Sequence, residues 1–282
     1  MSGDEPHGVP PGYARAAIYH AHAVCLTEAV RAIAHAVAEA GTLYAYAERH
    51  PERLAFAGRA PTYAAPLPGG AGRVVVRHAW HGGLLRGLTR DLYLPPTRAP
   101  GELWTSEWLR AAGVRTPRMV AYVRYPAPLG LRRVDVATEL VPEGRDLAAV
   151  LRPDPDDHHA AALRAGWVEA TAELVAGLCR LGARHPDLNL KNVLLAPDDA
   201  GATRAWVLDV DVVRGGRRPP DGRAIERAYR ANVERLDRSF DKWREVRGLH
   251  VDLLELNALY RRIVELLHGG ESTTFFVFGR DG

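Results

Sequence analysis

The chain has few of the features that mark several protein classes. It holds only two cysteines among 282 residues, and no Cys-x-x-Cys pair or Cys/His spacing typical of a structural metal site. No run of about eighteen apolar residues occurs without a charge, and no secretory leader is recognisable, so we expect a cytoplasmic protein. The glycine and proline contents exclude collagen, and the composition is neither that of a coiled coil nor that of a disulfide scaffold.

Lysine is almost missing from a chain that is otherwise well supplied with basic residues. Lysine and arginine together number 37, but only Lys191 and Lys242 are lysines. A phosphate contact elsewhere in the chain therefore needs an arginine, whose planar guanidinium binds oxyanions as a fork. With 47% hydrophobic residues, 25% charged residues and a net charge of +3, the composition predicts a folded core rather than disorder.

Apolar periodicity predicts an α+β fold with a strand-rich first half and a helix-rich second half. Apolar residues spaced by threes and fours predict an amphipathic helix over 14–48. Short β-branched runs predict strands up to residue 141, with one helix over about 101–112. Helices are predicted over 158–181 and 224–267. Three regions follow, a mostly helical N-terminal extension, a sheet-rich region and a mainly helical region: 1–48, 49–141 and 142–282.

A polar loop in the second half carries the most informative pattern. His185, Asp187 and Asn192 have the spacing H-x-D-x-x-x-x-N, and a short apolar strand follows them. After a turn and a second strand come Asp209 and Asp211. This order is typical of the catalytic loop and metal-binding aspartate of protein-kinase-like enzymes.

The spacing of these residues has a chemical reason. Phosphoryl transfer needs a carboxylate beside the acceptor hydroxyl and oxygen ligands that hold Mg²⁺ against the nucleotide phosphates. One loop can present Asp187 to the acceptor and Asn192 to the metal, and a hairpin can bring Asp209 to the other side of the ion. The alternative is a polar loop in which these residues only form turns. The complete set, following a strand-rich half, favours the kinase-like interpretation.

The first half should then supply a cation for the α- and β-phosphates, and it contains no lysine. Arg77 ends a β-branched run and is the predicted cation. Glu107, inside the predicted helix 101–112, is its predicted partner, because a buried arginine needs a carboxylate. The alternative for Arg77 is an ordinary surface arginine at a strand end. The segment from Gly58 to Tyr63 holds one glycine and is only a weak candidate for a loop that covers phosphates.

The residues quoted above resemble those of a known family, the bacterial lipopolysaccharide-core kinases of the 3-deoxy-D-manno-octulosonic acid (Kdo) kinase type. The resemblance spans about residues 50–245, and the family also favours arginine at the position of Arg77. The similar segments follow one another in the order of the chain: 76–78, 82–85, 90–94, 107–109, 112–117, 137–141, 185–189, 192–195, 209–211, 232–236 and 238–242.

The resemblance implies a bilobal protein-kinase-like fold that uses ATP and Mg²⁺. It implies that Asp187 and Asn189 are catalytic, with Asn189 in place of the lysine common in Ser/Thr protein kinases. It implies that Asn192, Asp209 and Asp211 hold the metal. The residues implied in nucleotide binding include two from a segment that resembles the inter-lobe hinge: Arg77, Glu107, Glu139 and Val141.

The implied reaction transfers the ATP γ-phosphate to a hydroxyl of Kdo in the inner core attached to lipid A. Such an acceptor is anionic and membrane-embedded, so peripheral attachment to the cytoplasmic face of the inner membrane is a further expectation, and nucleic acid is not an expected partner. Five arginines suit either an anionic sugar and an acidic membrane or an ordinary solvated surface: Arg86, Arg90, Arg214, Arg217 and Arg218.

Other functions of the same fold stay open at this point. A heptose kinase, an aminoglycoside-type phosphotransferase and a Ser/Thr protein kinase share the motif, although no A-P-E signature follows Asp209. A pseudokinase or nucleotide-binding scaffold would explain the missing lysine and the glycine-poor loop. It would not explain why Asp187, Asn192 and Asp209 occur together.

Overall fold

The structure, a computed structural model, divides the chain into two compact units. The first unit comprises residues up to 107 together with 117–140, and the second comprises 108–116 together with 141 onward. One unit is built on a large antiparallel sheet and the other mainly on helices, which confirms the predicted α+β fold class. The structure describes these residues: 8–56, 61–79, 92–93, 97–152, 154, 156–215, 219–249 and 251–269.

The first unit contains a seven-stranded antiparallel sheet. In the strand Arg73–His78, the buried Val74 and Val76 face one side of the sheet, whereas Val75 and Arg77 face the other, as the two-residue period of a strand requires. The strands lie side by side in this order: β1 (Tyr13–Ile18), β2 (Ala21–Leu26), β6 (Met119–Pro126), β7 (Arg132–Glu139), β5 (Arg73–His78), β4 (Thr62–Pro66) and β3 (Leu54–Phe56).

Among the described residues, three helices accompany this sheet: α1 (Val30–Ala40), α2 (Leu43–Arg49) and α3 (Ala99–Ala111). The α1 helix buries Ile33 and Val37, which are four residues apart and therefore lie on one face. The α2 helix begins after Thr42, whose side chain accepts the Ala45 N–H at 3.0 Å and so caps the helix. The hydroxyl of Tyr125 in β6 accepts the Leu43 N–H at 2.8 Å, which ties α2 to the sheet.

The helix predicted over 14–48 is present only in its second part. Residues 13–26 instead form the β1–β2 hairpin, which joins the edge of the sheet through pairing of β2 with β6. The alanine-rich composition favours helix, but hydrogen bonding along both edges of β2 and burial of Val24, Cys25 and Leu26 override that propensity. The spacing of Ile18 and Leu26 by eight residues fits both a helix and a strand, so periodicity alone could not separate them.

In the part of the second unit that the structure describes, five helices pack with a small sheet. In its core, the Trp167 and Phe240 rings lie 6.0 Å apart, and α6 packs against both α7 and α8. None of the described helices is both long and apolar enough to cross a membrane. The elements are β8 (Arg145–Asp146), α4 (Leu147–Val150), α5 (His158–Ala165), α6 (Trp167–Arg180), β9 (Val193–Pro197), β10 (Thr203–Val207), α7 (Gly222–Arg247) and α8 (Leu253–His268), with the strands in the order β10-β9-β8.

Two helices that periodicity predicts as continuous are interrupted. The segment 158–181 breaks at Gly166, where a Cβ atom would lie 2.8 Å from the Thr203 side chain, so glycine permits the close approach of β10. The segment 224–267 breaks at Gly248, which adopts a left-handed conformation and ends α7. Asp252 and Glu255 then form a capping box that starts α8.

Both cysteines are free, buried thiols, as the sequence predicts. Burial raises the pKa of Cys25 and that of Cys179 to about 12. Both thiols are therefore protonated at neutral pH and chemically inert.

Candidate active site

The predicted catalytic loop is the connection between α6 and β9, in the second unit. Its buried residue His185 binds the loop to two other segments. The backbone N–H of His185 donates to Asn232 Oδ1 at 2.9 Å, and its Nε2 donates to the Leu208 carbonyl at 2.9 Å. The Asp187 N–H donates to His185 Nδ1 at 3.2 Å, which assigns the ring proton to Nε2. The first motif residue thus anchors the loop rather than facing a substrate.

The two asparagines of the motif close the loop onto Asp187. The backbone carbonyl of Asp187 accepts from Asn189 Nδ2 at 3.1 Å and from Asn192 Nδ2 at 2.8 Å. Asn189 Oδ1 also accepts the Lys191 N–H at 2.8 Å, so both ends of the Asn189 amide are used within the loop. These bonds are turn-forming contacts of the kind that the alternative interpretation expects, and they bring Asp187, Asn189 and Asn192 together.

The Asp187 carboxylate has a cationic partner from α7. Arg235 Nη2 donates to Asp187 Oδ1 at 2.6 Å, and Arg235 Nε donates to the Pro186 carbonyl at 3.0 Å. Partial burial disfavours the charged carboxylate, but hydrogen bonds from Arg235 and Asn189 outweigh it and hold the pKa of Asp187 below its usual value. The Asp187 side chain is still 47% exposed, so an acceptor can reach it while it is ionised.

One face of α7 supports the whole loop. Asn232, Arg235 and Ser239 are spaced by three and four residues, which places them on one side of the helix. Asn232 is fully buried and donates to the Ala183 carbonyl at 2.9 Å, and Ser239 Oγ accepts the Leu190 N–H at 3.1 Å. The catalytic-loop motif predicts no role for these three residues, although polar positions repeated at helical spacing were a usable signal.

The β9–β10 hairpin brings Asp209 to the same loop. Val193 pairs with Val207, and the Leu208 N–H donates to the Asn192 carbonyl at 2.9 Å. Asp209 follows directly, exposed and in a left-handed conformation with φ of 53°. This conformation costs a residue with a Cβ atom about 1–2 kcal/mol, and aspartate tolerates it better than most residues. Asp211, half-buried, lies in the short 3₁₀ turn that follows.

The oxygen atoms at this place suit a hard cation. The side-chain N–H groups of Asn192 point to Asp187, so the amide oxygen Oδ1 is the Asn192 atom with the chemistry of a metal ligand, and the Asp209 and Asp211 carboxylates are the other predicted ligands. Amide and carboxylate oxygens are the ligands that Mg²⁺ prefers. Within the described part of the chain, no three or more histidine, cysteine, aspartate or glutamate side chains group together to hold a metal. The predicted ligand set of Asn192, Asp209 and Asp211 differs from such a group because one of its three ligands is an amide oxygen.

In the first unit, the predicted cation Arg77 does have a glutamate partner, but it is not Glu107. Arg77 Nη2 forms an ion pair with Glu102 Oε1, in the first turn of α3. Glu107 instead lies 3.0 Å from the hydroxyl of Tyr13. Residues five apart on a helix point roughly 140° away from each other, so Glu102 and Glu107 cannot face the same strand. The predicted helix was correct, and the choice of carboxylate within it was wrong.

The other predicted positions that the structure describes lie in both units. Glu139 ends β7 with its side chain exposed, and its backbone N–H donates to the Arg118 carbonyl at 2.8 Å. Val141, two residues after Glu139, belongs to the second unit. Arg214 also belongs to the second unit, and its side chain is exposed. Several residues named in the sequence analysis lie outside the described residues: Gly58, Arg86, Arg90, Arg217 and Arg218.

Comparisons with known proteins identify the family of this chain. The lipopolysaccharide kinase (Kdo/WaaP) family model matches residues 67–260. A 3-deoxy-D-manno-octulosonic acid kinase of Vibrio vulnificus (strain YJ016) is 31% identical over 198 residues, 68% of this chain and 75% of that protein. A kinase of the same name from Xanthomonas oryzae pv. oryzae (strain PXO99A) is 35% identical over 177 residues, 61% of this chain and 64% of that protein.

A solved structure, WaaP in complex with acyl carrier protein, is 18% identical with a TM-score of 0.44 and covers 76% of this chain and 78% of that one. The family match covers the predicted cation Arg77, the loop with Asp187 and the hairpin end with Asp209. The chain belongs to the lipopolysaccharide kinase (Kdo/WaaP) family of phosphotransferases.

Proposed function

We propose that this phosphotransferase moves the γ-phosphate of ATP to a hydroxyl of Kdo in the lipopolysaccharide inner core, with Mg²⁺ as its metal cofactor. The names of the related kinases support the acceptor, and the kinase-like motif supports ATP and Mg²⁺. Kdo attached to lipid A is the proposed form of the acceptor, which would place the enzyme at the cytoplasmic face of the inner membrane.

In the proposed reaction, Asp187 orients the acceptor hydroxyl and receives its proton. The acceptor oxygen forms a bond to the γ-phosphorus while the bond from that phosphorus to ADP breaks. Arg235 donates to the Asp187 carboxylate and lowers its pKa, so at neutral pH the carboxylate is ionised and can accept a hydrogen bond. A carboxylate with a low pKa is a weak base, which suits a proton transfer that follows most of the phosphorus–oxygen bond breaking in a loose transition state.

Asn192, Asp209 and Asp211 would hold Mg²⁺, which when bound neutralises charge on the nucleotide phosphates. The two bonds from Asn192 to Asp187 fix the direction of the Asn192 oxygen. Bonds to both polar backbone groups of Leu208 fix the strand end from which Asp209 projects. This chain therefore presents its oxygen ligands from two segments that are hydrogen-bonded to each other.

Arg77 would contact the α- and β-phosphates, in the role that lysine has in most kinases. Glu102 is buried and would be unfavourable there without a cation, so the ion pair holds both residues in place. A guanidinium can contact two phosphate oxygens at once, which makes arginine a chemically adequate replacement.

The observation that carries the proposal is the convergence of three side chains on Asp187. Asn189 and Asn192 donate to the backbone carbonyl of Asp187 at 3.1 and 2.8 Å, and Arg235 donates to its carboxylate at 2.6 Å. A loop that served only to turn the chain would need no cation on the carboxylate. The arrangement instead fixes the direction of an accessible, ionised aspartate, which positioning of an acceptor hydroxyl requires.

The direct test incubates the purified chain with ATP, Mg²⁺ and Kdo–lipid A and identifies the product by mass spectrometry. We expect one added phosphate on Kdo. Asp187→Asn should lower the rate by about a thousandfold, the contribution of a positioned general base, with ATP affinity nearly unchanged. Asp199→Asn is the matched control, because Asp199 is an exposed residue in the turn between β9 and β10.

Three results would contradict the proposal. ATP binding without acceptor-dependent ADP would indicate a non-catalytic nucleotide-binding protein. Phosphate on protein substrates, or on heptose but not on Kdo, would keep the phosphotransferase and replace the acceptor. An Asp187→Asn variant with the full rate would remove the assigned role from that residue.

A further inference from the structure

Lys191, one of the two lysines in the chain, lies in a turn that begins and ends with proposed site residues. The Asn192 N–H donates to the Asn189 carbonyl at 2.9 Å, so residues 189–192 form a tight turn in which Lys191 is the third residue. Asn192 follows Lys191 directly along the backbone. Contacts that hold Lys191 in place therefore also fix the direction in which Asn192 leaves the turn.

The Lys191 ammonium lies between a carboxylate and an aromatic ring. Lys191 Nζ donates to Asp146 Oδ2 at 2.9 Å and lies 5.6 Å from the centre of the Trp243 ring. An ammonium has three donors, so it can make both contacts at once. The Lys191 side chain is 53% exposed, and solvent therefore weakens the ion pair. The two contacts together hold the side chain more firmly than either contact alone.

Asp146, the anionic partner, is fixed by contacts of its own. Asp146 Oδ1 accepts the Ala149 N–H at 2.9 Å and so caps α4, which leaves Oδ2 for Lys191. Asp146 belongs to β8, which pairs with β9. Close by, the Ala148 N–H donates to the Leu190 carbonyl at 3.3 Å. This segment therefore contacts two successive residues of the turn, one through its backbone and one through a carboxylate.

Trp243, the aromatic partner, extends the face of α7 that supports the catalytic loop. The spacing of three and four residues that leads from Asn232 through Arg235 to Ser239 continues for four more residues to Trp243. The order of these four side chains along α7 follows the order of the loop residues that they contact. Trp243 is the last of them, and its contact is the Lys191 ammonium. The α7 face therefore reaches the whole loop, including the tight turn.

We propose that Lys191 is a positioning residue for the metal ligand Asn192. The Lys191 ammonium joins the α7 face to the segment that contains Asp146, and the turn held between them presents the Asn192 amide oxygen in a fixed direction. In this role Lys191 contacts neither the metal nor the acceptor, because it acts through the turn. The inference deepens the proposed function, on which the role of Asn192 as a ligand of Mg²⁺ rests.

The first test measures hydrogen exchange in the full chain without nucleotide or metal. The backbone N–H groups of Leu190, Lys191 and Asn192 each donate a hydrogen bond, so they should be protected in the wild type. Lys191→Met removes the charge, and these amides should then exchange about three- to tenfold faster. Lys242→Met is the matched control, since Lys242 is the other lysine and lies exposed beside Trp243 in α7. This variant should exchange as the wild type does.

A double-mutant cycle tests whether the ion pair carries the effect. Asp146→Asn removes the negative charge but keeps a side-chain oxygen that can cap α4. This variant should exchange faster at the turn, and Asp146→Asn/Lys191→Met should exchange no faster than Lys191→Met alone, because both substitutions break the same contact. Lys191→Arg keeps the charge and can still pair with a carboxylate and lie on an indole ring, so it should restore part of the protection.

The second test measures phosphate transfer. In Lys191→Met, the Mg²⁺ concentration for half-maximal rate should rise about three- to tenfold, with the KM for the acceptor unchanged. A lysine that bound the acceptor directly would instead raise the KM for the acceptor. Lys242→Met should keep the wild-type values of both quantities.

The proposal is overturned if Lys191→Met and Lys242→Met exchange alike at the turn, which would indicate an ordinary surface ion pair. Additive effects in the cycle, or a raised KM for the acceptor with an unchanged Mg²⁺ requirement, would also overturn it. Faster exchange spread over the whole second unit would do the same, since it would indicate a general loss of stability. Should the wild type phosphorylate no Kdo acceptor, the proposed function fails, whereas hydrogen exchange still decides whether Lys191 positions the turn.

Discussion

The two units hold their candidate site residues by different kinds of contact. In the second unit, Asp187, Asn189 and Asn192 lie within six residues of one another and bond mainly to their own loop. In the first unit, Arg77 and Glu102 are 25 residues apart and meet only because α3 packs against the sheet. A local network can be read from sequence spacing, whereas a distant ion pair depends on the rotation of a helix about its axis.

Of the substitutions that compare the two units, the largest effect is expected from breaking the local network at Asn192. The substitution Asn192→Ala removes the donor to the Asp187 carbonyl and the proposed amide ligand of Mg²⁺. We expect kcat with Kdo–lipid A to fall by at least about a hundredfold, because the aspartate loses its alignment. The Mg²⁺ concentration for half-maximal rate should also rise. Asn257→Ala, on the exposed face of α8, is the control. A rate within a factor of two of the wild type would contradict the assignment.

A smaller effect is expected at the distant ion pair. The substitution Glu102→Gln removes the charge that holds Arg77, and a charge-assisted hydrogen bond corresponds to roughly 10- to 100-fold in binding. We therefore expect the KM for ATP to rise by about that factor, with a lesser change in kcat. Glu107→Gln is the matched control in the same helix, since Glu107 contacts Tyr13 instead. A larger effect from Glu107→Gln would restore the original sequence-based pairing.

The sequence predicted the site residues that share a loop better than those brought together by packing. The spacing of His185, Asp187 and Asn192 reflects contacts between near neighbours, so it is visible in one sequence. Arg235 bonds to Asp187 across 48 residues, and nothing in the motif requires its position. Choosing Glu102 over Glu107 would have required knowing which face of α3 packs against the sheet. The apolar periodicity of α3 indicates that face poorly, because the helix contributes residues to both units.

The fold shows the same limit. The division into a sheet-rich and a helix-rich half follows from β-branched runs and three- and four-residue spacing, which are local properties. The β1–β2 hairpin was missed because its residues are largely alanine, with high helix propensity, and because the strand order that places β2 between β1 and β6 is a tertiary property. The breaks at Gly166 and Gly248 were visible as glycines, but their structural effect depends on neighbours and conformation.

A third prediction concerns the charge on Asp187. Burial raises the pKa of Asp187, and the hydrogen bond from Arg235 is the main interaction that lowers it. The substitution Arg235→Gln removes this bond, so the pKa should rise. The acid limb of the kcat/KM profile should then move to higher pH. At neutral pH we expect less than about a tenfold loss, because the pair is partly screened by solvent. Arg235→Lys should restore part of the shift. A purely structural role would lower kcat/KM equally at every pH.

The sign for stability follows from the same direction. The pKa of Asp187 is lower in the folded chain, so the ion pair stabilises the fold above the unfolded pKa. That contribution is lost as the pH falls through the folded pKa. The free energy of unfolding of Arg235→Gln should therefore be lower than that of the wild type at neutral pH. The two values should converge in acid.

The smallest effect compares one buried serine from each unit. Ser239 Oγ accepts the Leu190 N–H, whereas Ser106 Oγ, buried in α3, has no hydrogen-bond partner among the residues that the structure describes. Ser239→Ala leaves a buried N–H without an acceptor, which should lower the free energy of unfolding by about 1–3 kcal/mol and reduce kcat a few-fold. Ser106→Ala removes a hydroxyl that gains nothing from burial, so it should be neutral or slightly stabilising. Urea unfolding of the two variants measures the difference. Equal losses would mean that the α7 face supports the catalytic loop no more specifically than any buried residue does.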